Sequence, residues 1–196
     1  MIPDTAPSRT EEARLIRRAQ GGQADALDRL VEAHTPRLYR IVRRLASDPG
    51  EAEAIVQEAW LRAWRALGSC DPERPLLPWL ARIAVNVARD QARRTRPLDF
   101  SDLGGDPEAR PDPEPLPEQV VEQQLLIEAL EWAVTLLRPE QRAVIALRYD
   151  GGLSYQEIAG ALGLEVNSVR THLHRAKAAL RRALEADREV RHGPRP

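Results

Sequence analysis

The segment 153–184, LSYQEIAGALGLEVNSVRTHLHRAKAALRRAL, limits what this chain can fold into more than any other stretch. Its spacing predicts two short helices around a tight turn. Ser154 followed three residues later by Glu157 is a capping box, which satisfies two backbone N–H groups at a helix start. Ile158, Ala159 and Leu162 form an apolar stripe at helical spacing. Gly163 then stops the helix, because glycine enters the left-handed conformation at little cost. Asn167 or Ser168 is expected to cap the second helix. That helix carries Val169, Leu173, Ala176 and Leu180 on one face. The other face carries Arg170, Thr171, His174, Arg175 and Lys177. A short helix, a turn and a basic-faced second helix is the helix-turn-helix pattern, which suits a DNA groove. The plainer reading is an αα-hairpin with a solvated basic face.

Charge is distributed unevenly. The net charge is −1 over 196 residues. Residues 9–96 hold 17 Arg against 12 acids, for +5; residues 97–119 hold Arg110 against seven acids, for −6; residues 120–196 come to +1. Such a chain can offer basic surfaces to a polyanion while staying near neutral overall. Six prolines, two glycines and seven acids in 97–119 leave too little apolar surface to offset ordering entropy. We therefore expect a flexible acidic linker there, dividing an N-terminal helical domain (11–96) from a C-terminal one (120–186).

The N-terminal domain reads as a series of helices after a disordered lead over residues 1–10. The first begins near Glu11 and stops at Gly21-Gly22. A second starts near Ala24. Thr35-Pro36 resembles an N-cap followed by proline at the first helical position, so a restart is expected there. Asp48-Pro49-Gly50 reads as a turn. In EAEAIVQEAWLRAWRAL the inward positions are Ile55, Val56, Ala59, Trp60, Ala63, Trp64 and Leu67. A proline-punctuated loop from Gly68 to Pro78 follows. Then WLARIAVNVARDQARR buries Trp79, Leu80, Ile83, Ala84, Val87 and Ala88. Arg82, Asn86, Arg89 and Arg93 fall four, three and four apart on one outer stripe, suited to phosphates and base edges. As a plain surface, that stripe is a solvated face.

Beyond the linker, helix is expected from about Val120 through Trp132 and Leu136. Pro139 then opens another helix, whose Val144, Ile145, Leu147 and Tyr149 pack on the helix-turn-helix. Periodicity is lost after Leu184. No segment alternates like a strand, so the fold class is all-α. No phosphate loop, metal-spaced histidine pair or nucleophile–base set is present, so neither an enzyme nor a cofactor is expected. His34 is isolated. Cys70 is the sole cysteine, which excludes an internal disulfide, and it reads as a small loop residue. No apolar run approaches the roughly 20 residues of a membrane span and no leader pattern opens the chain, so a soluble cytoplasmic protein is expected.

Taken together, the two halves resemble the small, extracytoplasmic-function (ECF) type of bacterial RNA polymerase sigma factor. ALDRLVEAHTPRLYRIVRRLASDPGEAEAIVQEAWLRAWRAL and PWLARIAVNVARDQARR resemble region 2 of that family. LLRPEQRAVIALRYDGGLSYQEIAGALGLEVNSVRTHLHRAKAALRRAL resembles region 4. The resemblance implies two small helical domains joined by the acidic linker. It implies core polymerase binding through Glu53, Gln57, Glu58 and Arg62. It also implies −10 recognition and melting through Arg82, Asn86, Arg89 and Arg93, with the 68–78 loop shaping a pocket for a flipped base. For the −35 element it implies Ser168, Arg170, Thr171, His172, His174 and Arg175, with Arg148 on phosphate. Trp60 and Trp64 are then core packing. The linker would thread through the polymerase core, its acids imitating nucleic acid. Core polymerase, promoter DNA and an anti-sigma factor are the implied partners, without membrane insertion. Three positions depart from the family pattern. Ala54 stands where an acid is usual, PLLPWL lacks an aromatic ahead of Trp-Leu, and His172 stands where arginine is common. The alternative is a stand-alone helix-turn-helix regulator resembling a response-regulator output domain, which would need a sensory or receiver domain in place of an all-helical, basic N-terminal half.

Overall fold

The computed structural model describes residues 7–95 and 118–192. The disordered lead and the acidic linker expected from the sequence fall largely outside these residues. The described residues form α1 (Arg9–Gln20), α2 (Ala24–Arg43), α3 (Pro49–Arg65), α4 (Leu76–Thr95), α5 (Glu118–Thr135), α6 (Pro139–Ile145), α7 (Tyr155–Leu162) and α8 (Val166–His192). A 3₁₀ turn, Leu67–Ser69, follows α3, and a π turn, Ala146–Asp150, extends α6. No strand occurs among the described residues, and the fold is all-α as expected.

The N-terminal bundle has two layers of core. In one, Leu38 and Val42 of α2 meet Ala52, Ile55, Val56, Ala59 and Ala63 of α3 and Leu80, Ala84 and Val87 of α4. In the other, Leu15 and Ile16 of α1 meet Ala26 and Leu30 of α2, with Leu67, Cys70 and Leu76 beneath. Each such aliphatic side chain contributes about 1.5–3 kcal/mol when fully buried.

That burial explains three departures from the sequence reading. First, α2 does not restart at Thr35-Pro36; Pro36 lies inside one continuous helix. An interior proline costs about 3 kcal/mol. The unbroken inward stripe of Leu30, His34, Leu38, Ile41 and Val42 outweighs it. Thr35, expected as a cap, instead accepts a 2.9 Å hydrogen bond from Trp60 Nε1 and ties α2 to α3. Second, Asp48-Pro49-Gly50 is the start of α3 rather than a free turn. Asp48 Oδ1 accepts the Glu51 N–H at 2.8 Å, and Pro49 takes the first helical position. Third, Trp64 is 60% exposed, whereas Trp60 packs against both cores as expected. The buried line of α3 runs through Ala52, Ile55, Val56, Ala59 and Ala63, and the helix turns Trp64 off its edge.

Polar groups pin the bundle where apolar ones do not reach. Glu12 of α1 is buried. Its carboxylate lies 3.0 Å from His34 Nε2, pairs with Arg9, and accepts the Leu76 N–H at 3.3 Å, where α4 begins. His34 is thus far from isolated in space. Burial pushes the Glu12 carboxyl up, but His34, the Leu76 N–H and Arg9 together bring it below the usual carboxylate value. Because the folded value lies below the unfolded one, this stabilisation is present above pH ~4.5 and is lost as pH falls through the folded value. Glu12→Gln is expected to cost about 1–3 kcal/mol at neutral pH and to flatten the acid limb of stability. Urea unfolding between pH 7 and 3 checks this; an acid limb as steep as that of the native chain would refute the assignment.

In the C-terminal half, α6 starts at Pro139, and Gln141 Oε1 accepts the Arg138 N–H at 3.3 Å. Val144, Ile145 and Leu147 are buried with Ile158, Leu162, Val169, Leu173 and Ala176 in a single cluster. Tyr149, expected in that packing, is 58% exposed. The π turn shifts it outward, and its ring lies 5.8 Å from Lys177 Nζ. Beyond Leu184, where loss of periodicity was expected, α8 remains helical to His192. The residues from Glu185 to His192 are mostly good helix formers, and no glycine or proline intervenes before Gly193.

Candidate nucleic-acid interface

Two helices carry the basic faces anticipated from the sequence, and each is held by local structure. For the C-terminal one, the capping box forms as expected. Ser154 Oγ accepts the Glu157 N–H at 3.3 Å, and Glu157 Oε2 accepts the Ser154 N–H at 2.7 Å. Gly163 adopts φ 68°, ψ 38°, and the Leu164 N–H closes on Ala159 O at 2.9 Å. This tight closure lets the chain re-enter helix at Val166. Asn167 and Ser168 therefore lie inside the first turn of α8 and do not cap it. Val169, Leu173 and Ala176 seat the inner side of α8 in the core. Arg170, Thr171, His174 and Arg175 are exposed along its outer side, with Ser168 and His172 half-buried at the margins. Thr171 Oγ1 donates to Asn167 O at 3.0 Å, which fixes its rotamer. Arg148 stands apart from this face. Its Nη1 donates to Leu153 O at 2.8 Å and its guanidinium lies 5.3 Å from the Tyr155 ring centroid, so it braces the approach to α7.

The N-terminal face lies on α4. Arg82, Asn86 and Arg93 are exposed and Arg89 is half-buried, while Leu80, Ala84 and Val87 on the opposite side are buried. Pro75 and Pro78 stiffen the entry to α4, and Pro78 falls in its first turn, where a missing N–H removes no intrahelical bond. The expected loop is shorter than the sequence suggested, because α4 begins at Leu76 and the 3₁₀ turn takes up Leu67–Ser69. Next to it lies a cleft of about 600 Å³ walled by Ser69, Asp71, Arg74, Pro78, Trp79 and Arg82. Cys70 also faces it, but burial first, then the Glu12 and Asp71 charges, push its thiol up to about 11. At neutral pH that keeps the thiol protonated, in line with a small loop residue that no neighbour activates.

A third exposed face lies on α3. Glu53 and Gln57 are exposed, and four-residue spacing aligns them with Leu61 and near Trp64, 47% and 60% exposed. Glu58 and Arg62 are half-buried beside them. Arg62 donates to Glu58 Oε1 at 2.7 Å and to Asp90 Oδ2 of α4 at 2.9 Å. The bond from Arg62 holds the Asp90 carboxyl below its usual value. The sequence reading left Leu61 without a role and took Trp64 for core packing, which its 60% exposure corrects. The available signal was position, since Leu61 stands on the Glu53–Gln57 line and Trp64 beside it, off the buried one.

Two family models match this chain: Sigma-70 region 2 over residues 30–97 and Sigma-70, region 4 over residues 127–180, together more than half its length. The chain belongs to the sigma-70 family of RNA polymerase sigma factors. Its relatives place it in the ECF group. It is 35% identical to the ECF sigma factor SigE of Mycolicibacterium smegmatis over 165 residues, covering 83% of this chain and 64% of SigE. It is 32% identical to SigW of Bacillus subtilis, covering 86% of this chain and 94% of SigW. In structure it is similar to CnrH solved with the cytosolic domain of CnrY, with TM-score 0.66 and 29% identity over 90% of this chain and 99% of that one. The function of this sigma factor is promoter recognition in transcription initiation, and a stand-alone regulator is not favoured. The region 2 match takes in most of α2, α3 and α4 with its stripe, and the region 4 match takes in the second half of α5, α6, α7 and the first part of α8. No described helix is long and apolar enough to cross a membrane.

Proposed function

We propose that this sigma factor grips a promoter with two hands on a core polymerase. A domain over 11–96 binds the polymerase and melts the −10 element, a linker over 97–119 threads the core, and a domain over 120–186 reads the −35 element. The observation that carries this is the pair of exposed basic faces, one on α4 in region 2 and one on α8 in region 4. Arg82, Asn86, Arg89 and Arg93 hold the separated −10 strand. The cleft beneath Trp79 takes a flipped base, whose unstacking cost of a few kcal/mol is recovered by contacts in the pocket. Ser168, Arg170, Thr171, His172, His174 and Arg175 enter the −35 major groove. Arg148, already bonded to Leu153, adds a phosphate contact at the edge.

Glu53, Gln57, Glu58 and Arg62 face the polymerase, joined by Leu61 and Trp64. An apolar centre with a charged rim is the usual anatomy of a protein interface. The chain performs no chemical step of its own, needs no cofactor and works in the cytoplasm beside the polymerase. An anti-sigma factor is the third partner, a reading supported by the similar CnrH–CnrY complex. The exposed Leu126, Ile127, Leu130 and Leu136 of α5 supply apolar area for a protein partner.

Run-off transcription with core polymerase on a genomic library tests the whole reading: new start sites appear only when this protein is added, and their absence would overturn it. Within that assay, Arg170→Ala is expected to relax base preference in the −35 element by about 1–3 kcal/mol, because a groove contact is lost. An unchanged preference profile would remove Arg170 from the reading set.

A further inference from the structure

We infer that α1 is a strut that positions the loop walling the cleft, with Gln20 as its principal positioning residue. This rests on the base-capturing role proposed above for that cleft. Arg9, Glu12, Ile16 and Gln20 fall three, four and four apart, so they share one face of α1. That face holds the segment from Leu67 to Leu76. Gln20 Nε2 donates to Leu67 O at 3.0 Å and to Cys70 O at 2.8 Å. Its two amide hydrogens thus bracket the 3₁₀ turn. Both partners are carbonyls, which only accept, so the amide must present its nitrogen here. Ile16 is buried in one cluster with Leu67, Cys70 and Leu76. Arg9 Nη2 donates to Pro72 O at 2.7 Å, and Glu12 Oε2 accepts the Leu76 N–H. At the edge of the face Arg17 pairs with Glu73. The loop is therefore tied along most of the helix, about 16 Å from Arg9 to Gln20 at 1.5 Å per residue.

The loop depends on that support. Asp71–Pro75 lies between the 3₁₀ turn and α4 and belongs to no helix, so its backbone groups have no ladder to join. α1 itself is firmly seated: Leu15 and Ile16 share a core with Ala26 and Leu30 of α2, and Glu12 lies against His34. The side chains of the segment divide accordingly. Leu67, Cys70 and Leu76 are buried, while Ser69, Asp71 and Arg74 are exposed and wall the cleft with Trp79 and Arg82. No residue of α1 lines the cleft, so its influence on a captured base passes through the loop. α1 also precedes residues 30–97, the span that the region 2 model matches, so that span carries the cleft without the strut. A pocket discriminates when its groups are held to within about 0.5 Å. Gln20 fixes the two carbonyls on either side of Ser69, and losing its bonds frees Ser69 and Asp71 while the helices stay in place.

The test uses holoenzyme assembled from the full chain and core polymerase, with a pool of single-stranded −10 oligonucleotides randomised at every position. Native holoenzyme should show one position of sharp base preference, the captured one. Gln20→Glu keeps the size of the side chain but turns two oxygens, which cannot donate, toward Leu67 O and Cys70 O. Preference at the captured position should then fall by about fivefold or more, the lower end of what one good base contact discriminates. Preference elsewhere and affinity for core polymerase should hold. An equal loss of affinity for all sequences, with preference intact, would overturn the positioning role. Arg17→Ala, which cuts an exposed pair at the rim, should give a smaller fall. Arg14→Ala on the same helix, which removes only a pair with Glu11, should give none. Hydrogen exchange of the amides in 68–75 reads the strut without any base: faster exchange in Gln20→Glu is expected, and native rates would overturn the inference. Arg74→Ala reports on the cleft itself. If it shifts preference and Gln20→Glu does not, the strut alone fails. If it leaves preference intact, the base-capture reading fails and the positioning role falls with it.

Discussion

Arg82→Ala combined with Asn86→Ala is expected to slow open-complex formation by about 100-fold, through loss of two contacts of about 1–3 kcal/mol each. Closed-complex binding should fall far less. Both side chains are exposed on α4, with the buried Leu80, Ala84 and Val87 on the other side, so removing them leaves the bundle intact. The selectivity for opening follows from the proposed role, in which the stripe meets strand and bases only once the duplex has separated. Permanganate footprinting of unpaired thymines, alongside binding to duplex promoter, measures the two steps. Equal losses in both would assign the stripe to duplex phosphates instead of melting. The salt dependence gives an independent reading, because each lost phosphate contact lowers the slope of log K against log salt by a little under one.

Trp64→Glu is the second large effect expected, at about 2–4 kcal/mol of core polymerase affinity, on the scale of a tryptophan anchor in an interface. The indole is 60% exposed and stands beside the 47% exposed Leu61. Covering both removes apolar area from water without moving the core of region 2. A glutamate there would place a charge at the dry centre of the contact. Co-purification with core polymerase across a concentration series measures the loss. Glu58 charge reversal provides the graded comparison. It breaks the Arg62–Glu58 bond within α3, so its effect combines lost docking with a loosened Arg62–Asp90 link to α4. Full affinity in Trp64→Glu would move the docking face elsewhere on region 2.

Much of this was legible in the sequence, and the reasons are local. The capping box at Ser154 and Glu157, the left-handed Gly163 and the stripe Val169–Leu173–Ala176 each state their geometry within a few residues. The basic faces of α4 and α8 follow from helical period alone once the helices are given. The misreadings were also local signals, and each was overruled from a distance. Pro36 and Thr35 look like a helix start, yet the stripe from Leu30 to Val42 keeps α2 whole against α3 and α4. Asn167 looks like a cap, yet the Leu164–Ala159 closure brings the helix in two residues sooner. Trp64 looks like core, yet the direction of the Ala52–Ala63 line decides which side of α3 is covered.

The order of elements, the all-helical class, the placement of two basic faces in two regions and the resemblance to a sigma factor were settled by sequence. Each depends on residue identity at short spacing. Tertiary structure alone decided which outward side chains stay outward. It brought Glu12 to His34 and to the head of α4, exposed Trp64, and spent Arg148 on Leu153. It also laid α7 of the helix-turn-helix against α4, sharing Leu77, Ala81 and Val85 with region 4. Periodicity fixes the faces of a helix, but a face records no partner. Which helix covers it depends on contacts between residues a hundred positions apart, such as Arg44 and Asp150. The helix-turn-helix that dominated the sequence is, in the folded chain, also the element that covers the Leu77–Ala81–Val85 line of α4.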